Sequence, residues 1–558
     1  MKGIRNIRAS YDSFRDLIES GSYYVDKTEV IKEFLVDKFD KAVLFARPRR
    51  FGKTLTMTMF REFLDISRDS RKIFGGLKIM DYPELVEDYM NKYPVIFVSF
   101  KEVYGDDTES VVRSFRNVVS NLCKNYTYLL KSDMVDDADK VLLDNLRCRR
   151  GEIEDIAEFL DLISRMLYYH YGKKVFVIID EYDVPMAKTM GTSAYEKTRD
   201  IIEMMLSFVC KTNENVKAVM LSGCLYTVKN STYTGVNNII PYTIMSPNFA
   251  SSIGFTDGDV KAILKDLDYE DYYGVIKDWY DGYIFGRERM YCPWDVLRFL
   301  RSLSDGSYSE QKGPESYWLN SSETSIDIIR GFLGKAVGVM EKFEQLLAGK
   351  EIICTVNDNL PYHRIHENGD NIWSALLETG YLTKAVEEGM PRMPLRIPNK
   401  EIQEVFRKEV WEFFNGKIDN NYLAEFEKAI WKKDISKAEQ NLSMILEATL
   451  SFYHEYREYS YHLILDGLFT GLGYRVLSET ETGYGRSDLI ILDSVKKRCL
   501  IIELKHVNDE NDIKGALQEA NSQIIRNKYN SMLAYDGYVE ISCFGMAFWK
   551  KRCMISNI

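Results

Sequence analysis

Gly52, Lys53 and Thr54 form the first group of residues whose types and spacing could do chemistry. They follow the apolar run 42–46 and a polar turn, and an apolar-periodic segment begins at Lys53. A strand, a turn and a helix start make up a phosphate-binding loop, in which backbone amides face the β-phosphate. Lys53 can bridge the β- and γ-phosphates, and the Thr54 hydroxyl can bind Mg²⁺. The first glycine of the G-x-x-x-x-G-K-[ST] pattern falls on Arg47, so the motif needs support from elsewhere.

Asp180 and Glu181 supply that support, because they follow the apolar run 175–179. A run rich in β-branched residues predicts a central strand. A carboxylate at the end of such a strand, beside a phosphate loop, can hold Mg²⁺, and this role falls to Asp180. Glu181 could then polarise the attacking water. The alternative is that both residues only cap a buried strand and begin a loop.

A further apolar run, 216–221, ends in small polar residues where a γ-phosphate sensor would lie. Ser222 or Asn230 could be that sensor, although turn chemistry explains both equally well. Strands separated by helices predict a parallel α/β sheet with its ligand at the carboxyl ends of the strands. The predicted nucleotide-binding residues are Arg47, Pro48, Arg49, Arg50, Phe51, Gly52, Lys53, Thr54, Leu55, Asp180 and Ser222.

Asp488, Glu503 and Lys505 form the second group, in two apolar segments joined by a short polar turn. Side chains alternate across a strand, so Glu503 and Lys505 share a face, and Asp488 starts the neighbouring strand of a hairpin. Charged groups inside an apolar strand cost free energy unless a metal or substrate compensates them. Two carboxylates that face one point could hold Mg²⁺, and Lys505 could position or activate a water. The alternative is an edge hairpin with a surface Glu/Lys ion pair.

Length and composition set the class of protein. A chain of 558 residues, 45% hydrophobic and 28% charged, predicts a globular protein of about three domains. The net charge of −11 argues against a generally basic nucleic-acid coat but allows a local basic groove. Nine scattered cysteines without a C-x-x-C pair fit a reducing cytosol. Without a signal peptide or a long apolar run, we expect a cytoplasmic protein with no membrane association.

Several segments resemble the predicted AAA-ATPase-like family, whose members carry R-P-R-R-F-G-K-T in place of a glycine-opened loop. They are YYVDKT (23–28), ARPRRFGKTL (46–55), VFVIIDEYD (175–183), SGCLYTVKNSTYTGVNNI (222–239), GFTDGDV (254–260), WYDGYIFG (279–286), YCPWDVLRFL (291–300), YWLNSSET (317–324), GYLT (380–383) and LRIPNKEI (395–402). The resemblance makes Arg47 a family trait. The sequence departs from the family at Tyr226 and Ile284, where arginine is common; if either arginine senses γ-phosphate, the departure bears on hydrolysis.

The same family typically ends in a PD-(D/E)XK nuclease domain, which GYGRSD (483–488) and IIELK (501–505) resemble. The resemblance implies that Glu458 is an additional metal-side carboxylate and that Gln523 faces the same site. The implied domains are a P-loop AAA-like ATPase core at 1–250, a helical or winged-helix lid at 251–325, a helical linker region at 326–440 and a nuclease-like domain at 441–558. The predicted fold is therefore α/β, with a P-loop NTPase parallel sheet and a C-terminal restriction-endonuclease-like domain.

We predict an ATPase fused to a Mg²⁺-dependent nuclease, in which ATP gates or powers cleavage of nucleic acid, with DNA the favoured substrate. Mg²⁺ would be held by Thr54 and Asp180 in one site and by Glu458, Asp488 and Glu503 in the other. Glu181, Glu503, Lys505 and Gln523 are the predicted catalytic residues, and ATP and Mg²⁺ are the predicted cofactors. A basic surface that would face phosphate is formed by Arg486, Lys496, Lys497, Arg498, Lys505, His506, Arg526 and Lys528.

The alternative is a nucleotide-dependent assembly switch whose C-terminal domain binds nucleic acid or a partner without cleaving it. Homo-oligomerisation is compatible with either function.

Overall fold

Five apolar segments of the N-terminal half form one parallel sheet in the computed structural model of the chain. Its strands are β1 (Ala42–Ala46), β2 (Val95–Ser99), β3 (Val175–Asp180), β4 (Val216–Gly223) and β5 (Ile240–Tyr242), in the order β2-β3-β4-β1-β5. Every neighbouring pair is parallel. Strands β1 and β3 are buried along their whole length, as expected for near-continuous apolar runs covered on both faces. Strand β4 lies between them, so the carboxyl ends of all three strands meet at one edge of the sheet.

The structure describes residues 7–37, 39–211, 213–226, 236–309, 313–318, 339–347, 349–357, 360–365, 367, 369–386, 392–415, 419–449, 458–482, 485–527 and 538–558. Asn230 and Lys528 lie outside these residues. The chain divides into two compact units, Met1–Ser325 with Glu351–Ile402, and Ile326–Lys350 with Gln403–Ile558. The four domains predicted from the sequence, with the three boundaries between them, stay a prediction.

Helices surround the parallel sheet and continue beyond it in the first unit. They are α1 (Phe14–Glu19), α2 (Glu29–Lys32), α3 (Lys53–Leu64), α4 (Arg71–Phe74), α5 (Pro83–Tyr89), α6 (Thr108–Lys124), α7 (Asp137–Arg147), α8 (Ile153–Tyr171), α9 (Val184–Thr189), α10 (Tyr195–Cys210), α11 (Asp257–Leu267), α12 (Tyr273–Tyr280) and α13 (Pro293–Ser304). A π-helical turn covers Glu33–Asp37, and 3₁₀ turns cover Lys78–Asp81, Thr127–Lys131, Val236–Asn238, Glu270–Tyr272 and Tyr362–Arg364.

Two small antiparallel sheets complete the first unit. Strands β6 (Phe255–Thr256), β7 (Tyr283–Phe285) and β8 (Glu288–Tyr291) accompany α11, α12 and α13 in the region predicted as a lid. Strands β9 (Ile352–Thr355), β10 (Thr383–Lys384) and β11 (Arg392–Arg396) form the other sheet, and α15 (Asn371–Thr379) lies in the same stretch of chain. This stretch lies in the region predicted to be a helical linker, and its strands of two to five residues are too short for their alternation to be recognised in the sequence.

The second unit contains a mixed sheet with the order β12-β13-β14-β15-β16. Its strands are β12 (Arg475–Thr482), β13 (Gly485–Asp493), β14 (Arg498–His506), β15 (Glu540–Trp549) and β16 (Arg552–Asn557). Only the β14–β15 pair is parallel, and its connection contains a helix. The helices are α14 (Val339–Leu347), α16 (Lys400–Asn415), which begins in the first unit, α17 (Asn420–Trp431), α18 (Ile435–Thr449), α19 (Glu458–Gly471) and α20 (Ile513–Asn527), with a 3₁₀ turn at Glu510–Asp512.

Helices α19 and α20 cover opposite faces of this mixed sheet. On one face Tyr461 of α19 stacks on Phe548, with ring centroids 4.4 Å apart. On the other face Ile524 of α20 packs in a cluster with Ile490 and Ile501. The alternation of side chains places Glu503 and Lys505 on the Ile501 face, under α20. The predicted α/β class is confirmed, with a parallel sheet in the first unit and a mixed sheet in the second.

Candidate nucleotide and nuclease sites

The loop after β1 ends at Gly52, whose φ of 95° lies in the left-handed region that favours glycine. Helix α3 starts directly afterwards, so Lys53 is its first residue. The Lys53 Nζ donates hydrogen bonds to the carbonyl oxygens of Arg47 at 3.0 Å and Pro48 at 3.1 Å. It also lies 3.7 Å from the Cys224 Sγ. The buried amine is therefore held inside the loop, as a phosphate-binding lysine requires.

Asp180 connects the end of β3 to the start of α3. Its carboxylate accepts hydrogen bonds from the Thr54 Oγ1 at 3.0 and 3.3 Å and from the Ser222 Oγ at 2.5 Å. The Ser99 Oγ, which the sequence analysis did not consider, lies 3.5 Å away. Burial, and then the charge of Glu181, raises the pKa of Asp180 to about 6. The hydroxyl and carboxylate oxygens that meet here are the donors that Mg²⁺ prefers, and a cation would offset the buried charge.

Glu181 adopts a φ of 54°, which is uncommon for a residue with a side chain. Its backbone N–H donates to the Ser222 Oγ at 3.2 Å. Ser222 therefore bonds to both acidic residues and fixes the turn that follows β3. Backbone strain of this kind is concentrated at functional sites.

Arg47 occupies a structural position, although the sequence analysis assigned it to the nucleotide. Its fully buried guanidinium donates to the carbonyl oxygens of Ala46 at 2.9 Å, Tyr242 at 2.7 Å and Phe249 at 2.8 Å. It also lies over the Phe285 ring, 5.3 Å from the centroid. Burial lowers the pKa of Arg47 to about 10. The side chain thus ties the loop to neighbouring segments, and its own carbonyl oxygen is the group that contacts Lys53.

The side chains of Arg50 and Phe51 also pack away from the start of α3. The Arg50 guanidinium lies 4.1 Å from the ring centroid of Trp294. Phe51 is buried between Tyr283 and Phe285, at centroid distances of 5.1 and 4.9 Å. Pro48 lies against Gly380, where an added Cβ would be 2.7 Å from the Pro48 Cβ, and Leu55 is half-buried on α3. These contacts hold the loop from outside.

Asp183 is a residue of this site that the sequence analysis missed. Its buried carboxylate accepts hydrogen bonds from the backbone N–H groups of Cys224 and Leu225, both at 2.9 Å, and from the Tyr362 hydroxyl at 3.2 Å. It therefore joins the turn after β3 to the end of β4. The third acidic residue of Asp180-Glu181-Tyr182-Asp183 was the available signal, but its partners are distant in sequence.

Asp488 and Glu503 lie on neighbouring antiparallel strands. The pairing Leu489↔Ile502, continued by one residue, puts Asp488 opposite Glu503 on the same face of the sheet. The Asp488 Oδ2 accepts the backbone N–H of Leu504 at 2.7 Å. Glu503 is fully buried, and burial followed by the charge of Asp488 raises its pKa. The hairpin predicted from the sequence therefore brings these two carboxylates together.

Lys505 and Glu458 act on this pair from β14 and the start of α19. The Lys505 Nζ lies 3.8 Å from the Glu503 Oε1. The Glu458 Oε2, at the start of α19, accepts the backbone N–H of His506 at 3.1 Å. Burial, then the charges of Asp488 and Glu519, raises the pKa of Glu458 despite the attraction of Lys505. Gln523 is half-buried on α20.

Glu519 and His462 also belong to these surroundings, although the sequence analysis did not select them. Glu519 lies four residues before Gln523, a spacing that puts both on one helix face. The buried His462 makes a hydrogen bond of 2.9 Å between its Nε2 and the carbonyl oxygen of Asp488. Across the described parts of the chain, no group of three or more His, Cys, Asp or Glu residues is positioned to hold a metal ion. Asp488 and Glu503 thus fit a divalent cation in residue type, as a pair.

Only part of the predicted basic surface is available to contact phosphate. Lys496 and Lys497 are exposed in the turn between β13 and β14. Arg498, in contrast, pairs with Asp493 at 2.9 Å and lies 3.9 Å from the ring centroid of Trp431. Its guanidinium supports the hairpin from within the fold.

Comparison with known proteins finds one family model for each of these two regions of the chain. Residues 8–233 match the family model described as predicted AAA-ATPase, and residues 456–558 match that of the PD-(D/E)XK nuclease superfamily. The chain combines an AAA-ATPase-like domain with a PD-(D/E)XK nuclease superfamily domain. Domains of these two families typically use nucleotide and divalent metal. The roles of individual residues in the AAA-ATPase-like and PD-(D/E)XK domains stay predictions.

A relative from Azotobacter chroococcum mcd 1, an uncharacterized protein in the vnfD 5′ region, is 25% identical over 390 residues. The match covers 68% of this chain and 65% of the relative, so the chain spans less than two thirds of the relative's length. A search of the described helices finds none that is both long and apolar enough to cross a membrane.

Proposed function

We propose that the chain is a cytoplasmic ATPase whose nucleotide site gates Mg²⁺-dependent cleavage of nucleic acid, with DNA as the favoured substrate. The observation that carries this proposal is the contact of Thr54 with Asp180 beside the Lys53 amine. The pairing of Asp488 with Glu503 on one face of the second sheet supports the cleavage step. Both places combine carboxylates with one lysine, the groups needed to handle phosphate esters.

In the ATPase step, Lys53 binds the β- and γ-phosphates, and Thr54 and Asp180 are the residues that would hold Mg²⁺. The ion, when bound, neutralises charge on the phosphates. Glu181 orients a water molecule whose oxygen bonds to the γ-phosphorus. The bond from that phosphorus to the bridging oxygen breaks, its electron pair leaves with ADP, and Glu181 accepts the proton of the water.

In the cleavage step, Asp488 and Glu503 would hold a second Mg²⁺, which when bound lowers the pKa of water, and the charge of Glu458 acts on this pair. Lys505 and Gln523 orient the attacking water and the scissile phosphate. The water oxygen bonds to phosphorus while one bond from phosphorus to a sugar oxygen breaks, and the electron pair of that bond stays on the sugar oxygen. The water releases a proton to solvent, and the sugar oxygen takes up a proton from solvent. The products carry a phosphate on one end and a hydroxyl on the other.

The deciding experiment uses the purified full chain, plasmid DNA or RNA, Mg²⁺, and ATP present or absent. Glu181→Gln should bind ATP without hydrolysing it, and Glu503→Ala should lose cleavage while keeping ATPase activity. Lys174→Ala and Glu540→Gln, which change exposed residues of the same two units, are the matched controls. A wild-type chain that neither hydrolyses ATP nor cleaves either nucleic acid contradicts the proposal.

The assembly switch is a second candidate, favoured by the raised pKa of the buried Glu503, because a protonated carboxyl group is a poor ligand for a cation. In that case neither Glu181→Gln nor Glu503→Ala changes any activity, whereas Lys53→Ala abolishes nucleotide-dependent assembly. Light scattering with and without ATP measures the assembly state, including any homo-oligomer.

A further inference from the structure

The phosphate loop contains three arginines within four residues, and two of them already have structural partners. Arg47 donates to three backbone carbonyl oxygens, and Arg50 stacks on Trp294. The donors of Arg47 are used by the backbone, and the guanidinium of Arg50 rests on an aromatic ring at an exposed position. Arg49 is the arginine of this loop for which the described residues show no such contact.

Arg49 is half-buried in the loop after β1, and the groups that act on its charge include Glu181 and Asp183, which follow β3, and Cys224, which follows β4. Burial opposes its charge, but the electrostatic attraction of Cys224, Tyr362, Glu181 and Asp183 outweighs this effect and raises the pKa of Arg49. Within the described residues it makes no hydrogen bond and no ion pair within 4.0 Å. A charged, half-buried guanidinium therefore faces acidic groups with its five N–H donors available.

The position of Arg49 in the chain determines which part of a nucleotide it would meet. It directly follows Pro48, whose carbonyl oxygen contacts the Lys53 amine, and its charge acts on Glu181, the proposed base. The terminal phosphate of a nucleotide held by Lys53 must lie close to Glu181, the proposed base, so an arginine of the same loop whose charge acts on Glu181 is suited to meet that phosphate.

We propose that Arg49, which belongs to the phosphate loop of the same chain, recognises the γ-phosphate and stabilises its charge during hydrolysis. This inference rests on the proposed ATPase function and deepens it. When the bond to the bridging oxygen breaks, negative charge lies on the γ-phosphoryl oxygens and on ADP, and Arg49 donates hydrogen bonds to the γ-phosphoryl oxygens. ADP lacks that group, so Arg49 distinguishes ATP from ADP.

The test compares wild type, Arg49→Ala and the more conservative Arg49→Gln, with Arg71→Ala as a control at an exposed arginine of the same unit. Equilibrium binding of ADP and of a non-hydrolysable ATP analogue is measured by fluorescence, and kcat is measured with ATP. Both Arg49 variants should lose about 10²-fold or more in kcat. They should bind the ATP analogue about tenfold more weakly, with ADP affinity within about twofold of wild type. Arg71→Ala should match wild type in all three.

Three results would overturn the inference. Equal weakening of ADP and ATP-analogue binding would make Arg49 a general loop residue. Unchanged kcat and binding in both variants would remove it from the site. A wild-type chain that binds no nucleotide would overturn the proposed function as well, whereas the first two results leave that function intact.

Discussion

Asp180 illustrates how a single carboxylate can be prepared for a cation. The side chain is 2% exposed and accepts hydrogen bonds from two hydroxyl groups. These hydrogen bonds favour the charged form, but burial and the neighbouring Glu181 disfavour it more strongly. A carboxylate in this condition gains more from binding a cation than one in water does, since the ion replaces lost solvation.

We expect the affinity for Mg-ATP to depend on pH through Asp180. Because only the ionised carboxylate binds Mg²⁺, affinity should fall as the pH drops through about 6, the raised pKa of Asp180. Asp180→Asn should lower kcat by about 10²-fold or more and should lose this pH dependence. Isothermal titration calorimetry between pH 5 and 8 measures how the affinity for Mg-ATP depends on pH. An unchanged profile in Asp180→Asn would assign the titration to another group.

We expect Arg47 to contribute to the stability of the fold. Arg47→Ala removes the donor to three buried carbonyl oxygens and leaves a cavity, so it should reduce the free energy of unfolding by roughly 2–4 kcal/mol. Arg113→Ala, at an exposed position of the same unit, should change it little. Denaturant unfolding of both variants measures the difference. Normal stability together with lost ATP binding would instead support the nucleotide role predicted from the sequence.

At the scale of elements, the two sites use sheet geometry in different ways. In the first unit, parallel strands bring Asp180 and Ser222 to one edge, with the start of α3 beside them. In the second unit, the antiparallel register of β13 and β14 puts Asp488 opposite Glu503. A shift of that register by one residue would turn one carboxylate to the other face. The short β13–β14 turn therefore determines whether the two carboxylates meet.

Gly282 tests how closely two segments of the first unit approach. Its φ is 103°, and an added Cβ would lie 2.0 Å from the backbone oxygen of Pro398. Gly282→Ala should therefore cost at least about 2 kcal/mol of unfolding free energy. Gly274, in helix α12, has nothing within 4 Å of an added Cβ, so Gly274→Ala should stabilise by up to about 1 kcal/mol. Thermal unfolding of both variants gives the sign of each change in stability. Equal shifts of Tm in the two variants would contradict the close approach of Gly282 to Pro398.

At the scale of the molecule, a buried pair of carboxyl groups joins segments of the first unit that are far apart in sequence. Asp295 and Glu401 are both 1% exposed and hydrogen-bonded to each other. The Glu401 Oε1 also accepts the backbone N–H groups of Tyr317 at 2.5 Å and Trp318 at 2.9 Å. Burial raises the pKa of both carboxyl groups, to about 6 for Asp295, so one proton is shared between them near neutral pH.

This pair should make the stability of the first unit fall with rising pH. Because the folded pKa of Asp295 exceeds its ordinary value of 3.8, folding takes up a proton. The resulting stabilisation is complete below about pH 4. The part that comes from Asp295 is lost as the pH rises through about 6, and the part that comes from Glu401, whose pKa is raised well above its ordinary value, is lost at higher pH. Glu401→Gln keeps a hydrogen-bond acceptor and a donor but does not titrate in this pH range. The Tm of this variant should therefore fall less than that of wild type between pH 4 and 7. Parallel Tm profiles for the two proteins would contradict this assignment.

The amino-acid sequence by itself determined the groups whose partners are close along the chain. Gly52, Lys53 and Thr54 are recognisable because a helix start needs local residue types, and Glu503 and Lys505 because strand alternation has a period of two. The α/β class followed from the same periodicities. Only the tertiary structure decided that Arg47 binds backbone carbonyl oxygens, that Asp183 joins two strand ends, and that Asp295 meets Glu401. The contacts of Asp183 and Arg47 join residues that are 41 and 202 positions apart in the chain, and local patterns carry no information about such distances.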